Sequence, residues 1–196
     1  MTLNSVETKH NHVALPANND PDNEWVTQGQ EELPYRTCAY EKLIRKYEKL
    51  VFHICLKMLG NRDDADDVSQ EVMLKVFHSL VKFEGRSSFK TWIARIATNT
   101  CLSAADKRKR TRELQAMLTD DPSQERTSTI NTTKRDLDSA MQLLAPKERE
   151  ILTLRYTAEL RIEEVAEVCD LKLSATKMRL YRAQEALKEH MKAYQH

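Results

Sequence analysis

Apolar residues recur every three or four positions through most of this chain, which is the period of a helix and not the alternation of a half-buried strand. The first long run is Leu43, Ile44, Tyr47, Leu50, Val51, Ile54, Cys55, Met58 and Leu59. It predicts a helix over 35–59, stopped at Gly60-Asn61, where glycine can take the left-handed turn that commonly ends helices. A second stripe, Ala65, Val68, Val72, Val76 and Leu80, is widened by Met73 and Phe77. Asp63, Asp64, Asp66 and Asp67 open it. Carboxylates there meet the positive end of the helix dipole, and Asn61 or Asp63 is placed to cap it. A third stripe carries Phe89, Trp92, Ile93, Ile96, Ala97 and Cys101, with Lys90, Arg95 and Asn99 elsewhere on its surface. Between the second and third stripes, Phe83, Glu84, Gly85, Arg86, Ser87 and Ser88 must turn the chain. Gly85 supplies permissive backbone, and Ser87 or Ser88 a suitable N-cap.

The period is lost over 1–34 and again over 113–136. The first stretch is polar, carries Pro16, Pro21 and Pro34, and reads as a flexible tail. The second holds turn-forming runs at 119–123 and 127–133 and is longer than a connection inside a compact domain, so it reads as a linker between a domain at 35–112 and another at 137–196. In the second domain, Pro146 suits a first helical turn, Glu148 and Glu150 follow, and Ile151, Leu152 and Leu154 form an apolar face. Ile162, Val165, Ala166 and Cys169 repeat at helical spacing. After the break Asp170-Leu171-Lys172, a last helix begins at Ser174. Its buried stripe is Leu173, Thr176, Leu180, Ala183 and Leu187, while Lys177, Met178, Tyr181 and Arg182 face outward. Two helices joined by a tight turn, the second basic on its open face, make a helix-turn-helix. The expected fold class is all-α: two small helical domains joined by a flexible linker, ending in the helix-turn-helix.

Composition sharpens this in a few places. Three glycines in 196 residues agree with a mostly helical chain. The net charge of +1 is silent about nucleic acid, but its distribution is not. Lys107, Arg108, Lys109, Arg110 and Arg112 crowd one short run, and Lys172, Lys177, Arg179, Arg182, Lys188 and Lys192 outnumber Glu185 and Glu189 in the segment 172–192. Such runs can be merely solvated faces, but they also suit phosphate. No apolar run approaches the ~20 residues that span a bilayer, and the N-terminus lacks a signal-peptide pattern, so a cytoplasmic protein is expected. Cys38, Cys55, Cys101 and Cys169 are widely spaced, and three of them sit on apolar stripes as small hydrophobes. His10 and His12 are a weak candidate metal clamp, and His78 and Cys101 stand isolated. No P-loop, HExxH or activated nucleophile is recognisable, so neither enzymatic activity, nor a cofactor, nor a metal is expected.

The words DADDVSQEVMLKVF (64–77) and FEGRSSFKTWIARIATN (83–99), with the basic run after them, resemble region 2 of bacterial sigma factors of the small extracytoplasmic-function (ECF) type. LLAPKEREILTLRY (143–156) and IEEVAEVCDLKLSATKMRLYRAQEAL (162–187) continue the resemblance into region 4. Two blocks in the right order are more specific than either alone. The resemblance implies a protein that binds core RNA polymerase through the β′ clamp and the β flap, directs it to promoter DNA, and opens the minus-ten element. It also implies an anti-sigma factor as a further partner. The wording of 158–179 is similar to a subgroup linked to cell-envelope stress.

Carried over residue by residue, the resemblance assigns polymerase docking to Asp67, Gln70, Glu71 and Leu74. It assigns the minus-ten element to Phe83, Glu84, Gly85, Arg86, Ser87, Ser88, Lys90, Arg95 and Asn99, with Lys107, Arg108, Lys109 and Arg110. The loop from Phe83 to Ser88 would receive a flipped base, an extraction that costs a few kcal/mol and must be offset by contacts. Lys177, Met178 and Tyr181 fall where relatives read the upstream minus-thirty-five element, and Arg155 and Arg182 where they hold its backbone. Trp92 shares the face of Phe89, Ile93 and Ile96 and reads as core. The chain departs from the pattern at Glu159 and Asp170, where relatives usually have glycine, and Asp tolerates left-handed backbone better than most residues. Met178 cannot make a bidentate base contact.

Two other readings compete. A stand-alone helix-turn-helix regulator would bind DNA without polymerase, usually as a dimer; the acidic helix and the loop at 83–88 argue against it. A protein-interaction module without DNA contact is disfavoured by the basic runs, and DNA binding by the C-terminal domain alone would separate it from the others.

Overall fold

The computed structural model describes residues 20–118 and 132–192. The His10–His12 clamp, the rest of the tail before Asp20, and the turn-rich run at 119–131 lie outside the described residues. Among the described residues there are eight α-helices and no strand: α1 (Asn23–Glu32), α2 (Cys38–Leu59), α3 (Arg62–Ser79), α4 (Phe89–Leu118), α5 (Thr132–Leu143), α6 (Pro146–Leu152), α7 (Ile162–Val168) and α8 (Leu173–Lys192). A 3-10 turn, Leu80–Lys82, closes α3, and one wide helical turn, Thr153–Thr157, follows α6.

Helix α2 is the axis of the first unit, with α1, α3 and α4 packed around it. Its stripe is buried as the spacing demands: Leu43, Val51, Ile54 and Cys55 are inaccessible, and Tyr47 and Met58 nearly so. It begins at Cys38 and not Tyr35, which is almost fully exposed. Gly60 ends it with φ 73°, its N–H donating to the Leu56 carbonyl. The missing side chain also matters: a Cβ at Gly60 would lie 2.4 Å from the Gln142 side chain, which crosses here to reach the Lys57 carbonyl. Asn61 caps α3, its side chain accepting from the Asp63 N–H. Ala65, Val68, Val72 and Val76 face α2 and α4. Ser88 starts α4 by accepting from the Thr91 N–H at 3.1 Å. The helix then continues past Cys101 through the basic run.

Three expectations are corrected. Residues 20–34 are not a flexible tail: α1 buries Val26 and the following Leu33 against the core. Its anchor is Asp22, wholly buried, whose carboxylate receives the Tyr47 hydroxyl and the Lys46 ammonium. Burial, then the bond to Asp22, pushes the Tyr47 phenol well above its usual pKa, so it stays a donor. The linker is shorter than 113–136, because α4 runs to Leu118 and α5 begins at Thr132. Leu173, assigned to the buried stripe of the last helix, is exposed; it is the first residue of α8, where the turn has not yet brought its face onto α7.

The second unit is α5 to α8. Pro146 occupies the first turn of α6. Ile151, Leu154, Leu160, Val165 and Ala183 are its buried centre. All four cysteines are free, with Cys55 and Cys101 buried, Cys169 half-buried and Cys38 exposed. The bond to Cys55, and then burial, raises the Cys101 thiol far above its normal range, and burial pushes Cys169 up to about 12. These three therefore behave as apolar fillers.

Removing the α1 anchor should be felt across the first unit. Asp22→Ala leaves the buried Tyr47 hydroxyl without an acceptor, which costs about 1–3 kcal/mol. Urea denaturation should show that loss with the slope unchanged. An unchanged midpoint would mean that α1 is not docked in solution.

Candidate nucleic-acid interface

Three surfaces carry the residues singled out by the sequence. The first is the open side of α3. Asp67, Gln70 and Glu71 are exposed, and Leu74 is 61 % exposed between them and the end of the helix. Glu71 pairs with Lys75 one turn on, at 2.7 Å.

The second surface is the loop and the first half of α4. Phe83 is half-buried, its ring 6.0 Å from Phe89 and 4.8 Å from Trp92. Glu84 and Arg86 project from the loop and pair with each other, and Gly85 turns it with φ 66°. Ser87 and Ser88 are half-buried, the Ser88 hydroxyl sharing a 2.8 Å bond with that of Thr91. The ring of Trp92 rests on Phe83 and Phe89 and is half-buried, a core position as expected. Lys90 and Arg95 are half-buried and Asn99 exposed. Further along α4, Lys107, Arg108, Lys109 and Arg110 are exposed helical residues; Arg108 pairs with Asp64 of α3 and Lys109 faces Glu113 at 3.8 Å. The basic run is thus less free than its composition suggests.

A groove between α3 and α4 sets Asn99 beside Lys75, His78 and Lys82, with Ser79, Ile96, Thr100 and Ser103 completing its lining. Lys75 donates to the Thr100 hydroxyl at 3.2 Å. Sequence reasoning missed Lys75 and Lys82 and left His78 isolated. Their only signal was their place off the apolar stripe of α3, which does not reveal that Asn99 lies across from them.

The third surface is the helix-turn-helix. Two non-glycine residues have left-handed backbone here, Glu159 at φ 52° on the approach to α7 and Asp170 at φ 53° in the turn between α7 and α8. Asp170 thus adopts the conformation expected of it. The strain at each is held by hydrogen bonds around it: Leu160 N–H to the Leu154 carbonyl, and Leu171 N–H to the Ala166 carbonyl. On α8, Thr176 and Ala183 are buried, and Leu180 and Leu187 pack on the core. That leaves Lys177, Met178, Tyr181 and Arg182 exposed, Tyr181 by 60 % and Met178 by 55 %. Arg155 is different. It is half-buried, and its guanidinium donates to the Leu160 carbonyl at 3.0 Å, so it also braces the approach to α7.

The two units touch, and the contact uses side chains of the second surface. Thr91 donates to Glu164 at 3.0 Å. Arg95 donates to the Glu167 carbonyl and lies 3.5 Å from the Glu167 carboxylate. Lys57 pairs with Asp138. An arginine held by α7 cannot at the same time hold a nucleic-acid strand, so in this arrangement the acidic face of α7 occupies part of the α4 surface.

The sequence of each unit matches a known family model: Sigma-70 region 2 over residues 43–111, and Sigma-70, region 4 over residues 134–187. The chain is 26 % identical over 167 residues to the ECF RNA polymerase sigma factor SigW of Bacillus subtilis, covering 79 % of this chain and 89 % of SigW. It is 29 % identical over 186 residues to the ECF sigma factor SigG of Mycobacterium tuberculosis, covering 81 % of this chain but only half of SigG. Among solved structures, CnrH in complex with the cytosolic domain of CnrY aligns with a TM-score of 0.67 at 21 % identity, over 89 % of this chain and 99 % of that one. The sigma factor RpoE of Bartonella quintana, solved with the anti-sigma factor NepR, aligns with a TM-score of 0.64 at 23 % identity, over 78 % of this chain and 96 % of that one.

Reversing the charge of the α7 face should free the α4 surface. In the Glu164→Lys, Glu167→Lys double variant, fluorescence anisotropy should show several-fold tighter binding of a single-stranded oligonucleotide by the chain alone, with helicity unchanged. Equal affinity in variant and wild type would show that α7 does not compete for this surface.

Proposed function

The chain belongs to the ECF branch of the bacterial sigma-70 family, and from that premise we propose how its parts divide the work of promoter recognition. It is an alternative sigma factor: it binds core RNA polymerase, directs it to promoter DNA and promotes opening for initiation. The observation that carries this is the match of regions 2 and 4, in order, to the two helical units. On this reading the chain is an initiation factor with no catalysis of its own, and it works in the cytoplasm, where core polymerase is. Among the described residues no helix is long and apolar enough to cross a membrane.

Asp67, Gln70, Glu71 and Leu74 form the surface for the β′ clamp. The loop from Phe83 to Ser88 receives a minus-ten base, with Lys90, Arg95 and Asn99 along the strand. Lys75, His78 and Lys82 join them, because their groove puts cations within reach of a strand lying on Asn99. Lys107, Arg108, Lys109 and Arg110 supply phosphate contacts, for which Arg108 exchanges Asp64. On α8, Lys177 can donate to guanine O6 or N7, and Tyr181 can donate or accept at a base edge. Met178 contributes apolar contact. Arg182 holds backbone, joined by Arg155 if it gives up the Leu160 carbonyl. The β flap would meet the second unit, and an anti-sigma factor would compete for one or more of these surfaces. Among the solved structures similar to this chain, the sigma factor RpoE is bound to the anti-sigma factor NepR and CnrH to the cytosolic domain of CnrY, which supports such a partner.

Run-off transcription with purified core polymerase on a promoter library tests the whole assignment. Wild-type chain should yield promoter-specific transcripts that core alone does not. The Asp67→Lys, Glu71→Lys variant should keep its helicity, since both residues are exposed, yet lose affinity for core by roughly tenfold or more. Unchanged core affinity would remove the docking role from this face, and absence of specific transcripts with every promoter would remove the sigma function.

A further inference from the structure

The segment before α2 does more than add apolar surface. The Gln30 side-chain amide donates to two carbonyls fifty and fifty-three positions along the chain, those of Leu80 at 3.0 Å and Phe83 at 2.7 Å. These are the carbonyls where the chain leaves α3 and enters the loop; that of Leu80 also accepts from the Phe83 N–H at 3.0 Å, so the amide adds a second bond there and supplies one at Phe83. At the other end of the loop, the Asp20 carboxylate accepts from the Phe89 N–H, in the first turn of α4. A carboxylate there also meets the positive end of the helix dipole. We propose that residues 20–33 are a brace that sets the position of the Phe83–Ser88 loop, with Gln30 as a positioning residue for minus-ten selectivity and Asp20 as its counterpart at the far end.

Three features make the brace stiff. The segment is pinned to α2 through buried Asp22, with Tyr47 and Lys46. Val26 and Leu33 are buried on either side of Gln30. Gly29 lets α1 lie directly on Leu80, since a Cβ there would come within 3.0 Å of Leu80 Cδ2. The loop itself has little to hold it between its ends: the Glu84–Arg86 pair is on the surface, and exposed pairs contribute little. Seating a single extracted base needs a pocket fixed to about 0.5 Å, which the loop obtains from its two ends and from the Phe83 ring. Gln30 does this without contacting DNA, because its amide is committed to the two carbonyls.

The inference rests on the proposed reading of the loop, so the test separates the two. Holoenzyme is reconstituted with full-length chain carrying Gln30→Met, which keeps length and apolar bulk but cannot donate, or Gln30→Lys, which restores a donor. A third variant, Arg86→Ala with Ser87→Ala, alters the loop itself. Open-complex formation is measured on promoters that differ only in the minus-ten element, and again on promoters that differ only upstream. Gln30→Met should reduce minus-ten discrimination by roughly tenfold, with core affinity and upstream discrimination unchanged, and Gln30→Lys should recover most of it. If Gln30→Met discriminates like wild type while the loop variant does not, the brace is overturned and the loop reading stands. A parallel fall in core affinity and in both discriminations would reduce Gln30 to a merely stabilising residue and overturn the proposal. A loop variant with wild-type discrimination would refute the loop reading, and the brace would fall with it.

Discussion

The burial of Phe89 is the constraint on which the first unit turns. Its ring is inaccessible and meets Tyr47 of α2 at 5.3 Å, Trp92 of its own helix at 5.6 Å and Phe83 of the loop at 6.0 Å. Its backbone N–H is held by Asp20. One residue therefore joins the N-terminal segment, the central helix, the loop and α4. Truncating a ring of this kind costs about 3–5 kcal/mol. Here the loss would also release the loop, because Phe83 has no comparable ring partner beyond Phe89 and Trp92. The surface proposed for the minus-ten element is thus built outward from a core contact.

The contact between the units has a different character. Its hub is Arg149 of α6, whose guanidinium donates to the Met58 carbonyl at the end of α2 and to the Met141, Gln142 and Leu144 carbonyls at the end of α5. Burial lowers its pKa, and four carbonyls take up its donors. Around it are Lys57 with Asp138, Thr91 with Glu164 and Arg95 with Glu167. These polar contacts border a continuous apolar cluster that takes in buried residues of both units, Met58 and Ile93 with Leu144 and Ile151 among them. Arg95, proposed to serve the strand, is among the α4 groups that the chain here covers with its own α7 residues.

What the sequence made legible follows from locality. The stripes of α2, α3 and α4, the Asn61 cap, the Gly60 stop, the Pro146 start and the helix-turn-helix are all set by residues within a turn or two of each other. The left-handed Asp170 was foreseeable because the turn demands that backbone whichever residue stands there. Helix α1 was not legible: its apolar content is little more than Trp25, Val26 and Leu33, and its anchor is a buried aspartate whose partners lie on another helix. Gln30 was invisible for the same reason, since a polar residue in a polar stretch gives no sign of carbonyls fifty positions away. Lys75, Lys82 and the neighbouring His78 gained meaning only once α3 and α4 were laid side by side. The engagement of Arg95 by α7 is a property of the two units together that neither pattern contains.

The account centres on a division of labour: the chain supplies the promoter-reading surfaces but opens DNA only as part of holoenzyme. Permanganate footprinting of minus-ten thymines on a matched promoter measures this directly, with the chain alone, core polymerase alone, and both together. Reactive thymines should appear only when both are present. Reactivity with the chain alone, or tight duplex binding by the chain alone with no reactivity when core is added, would contradict it.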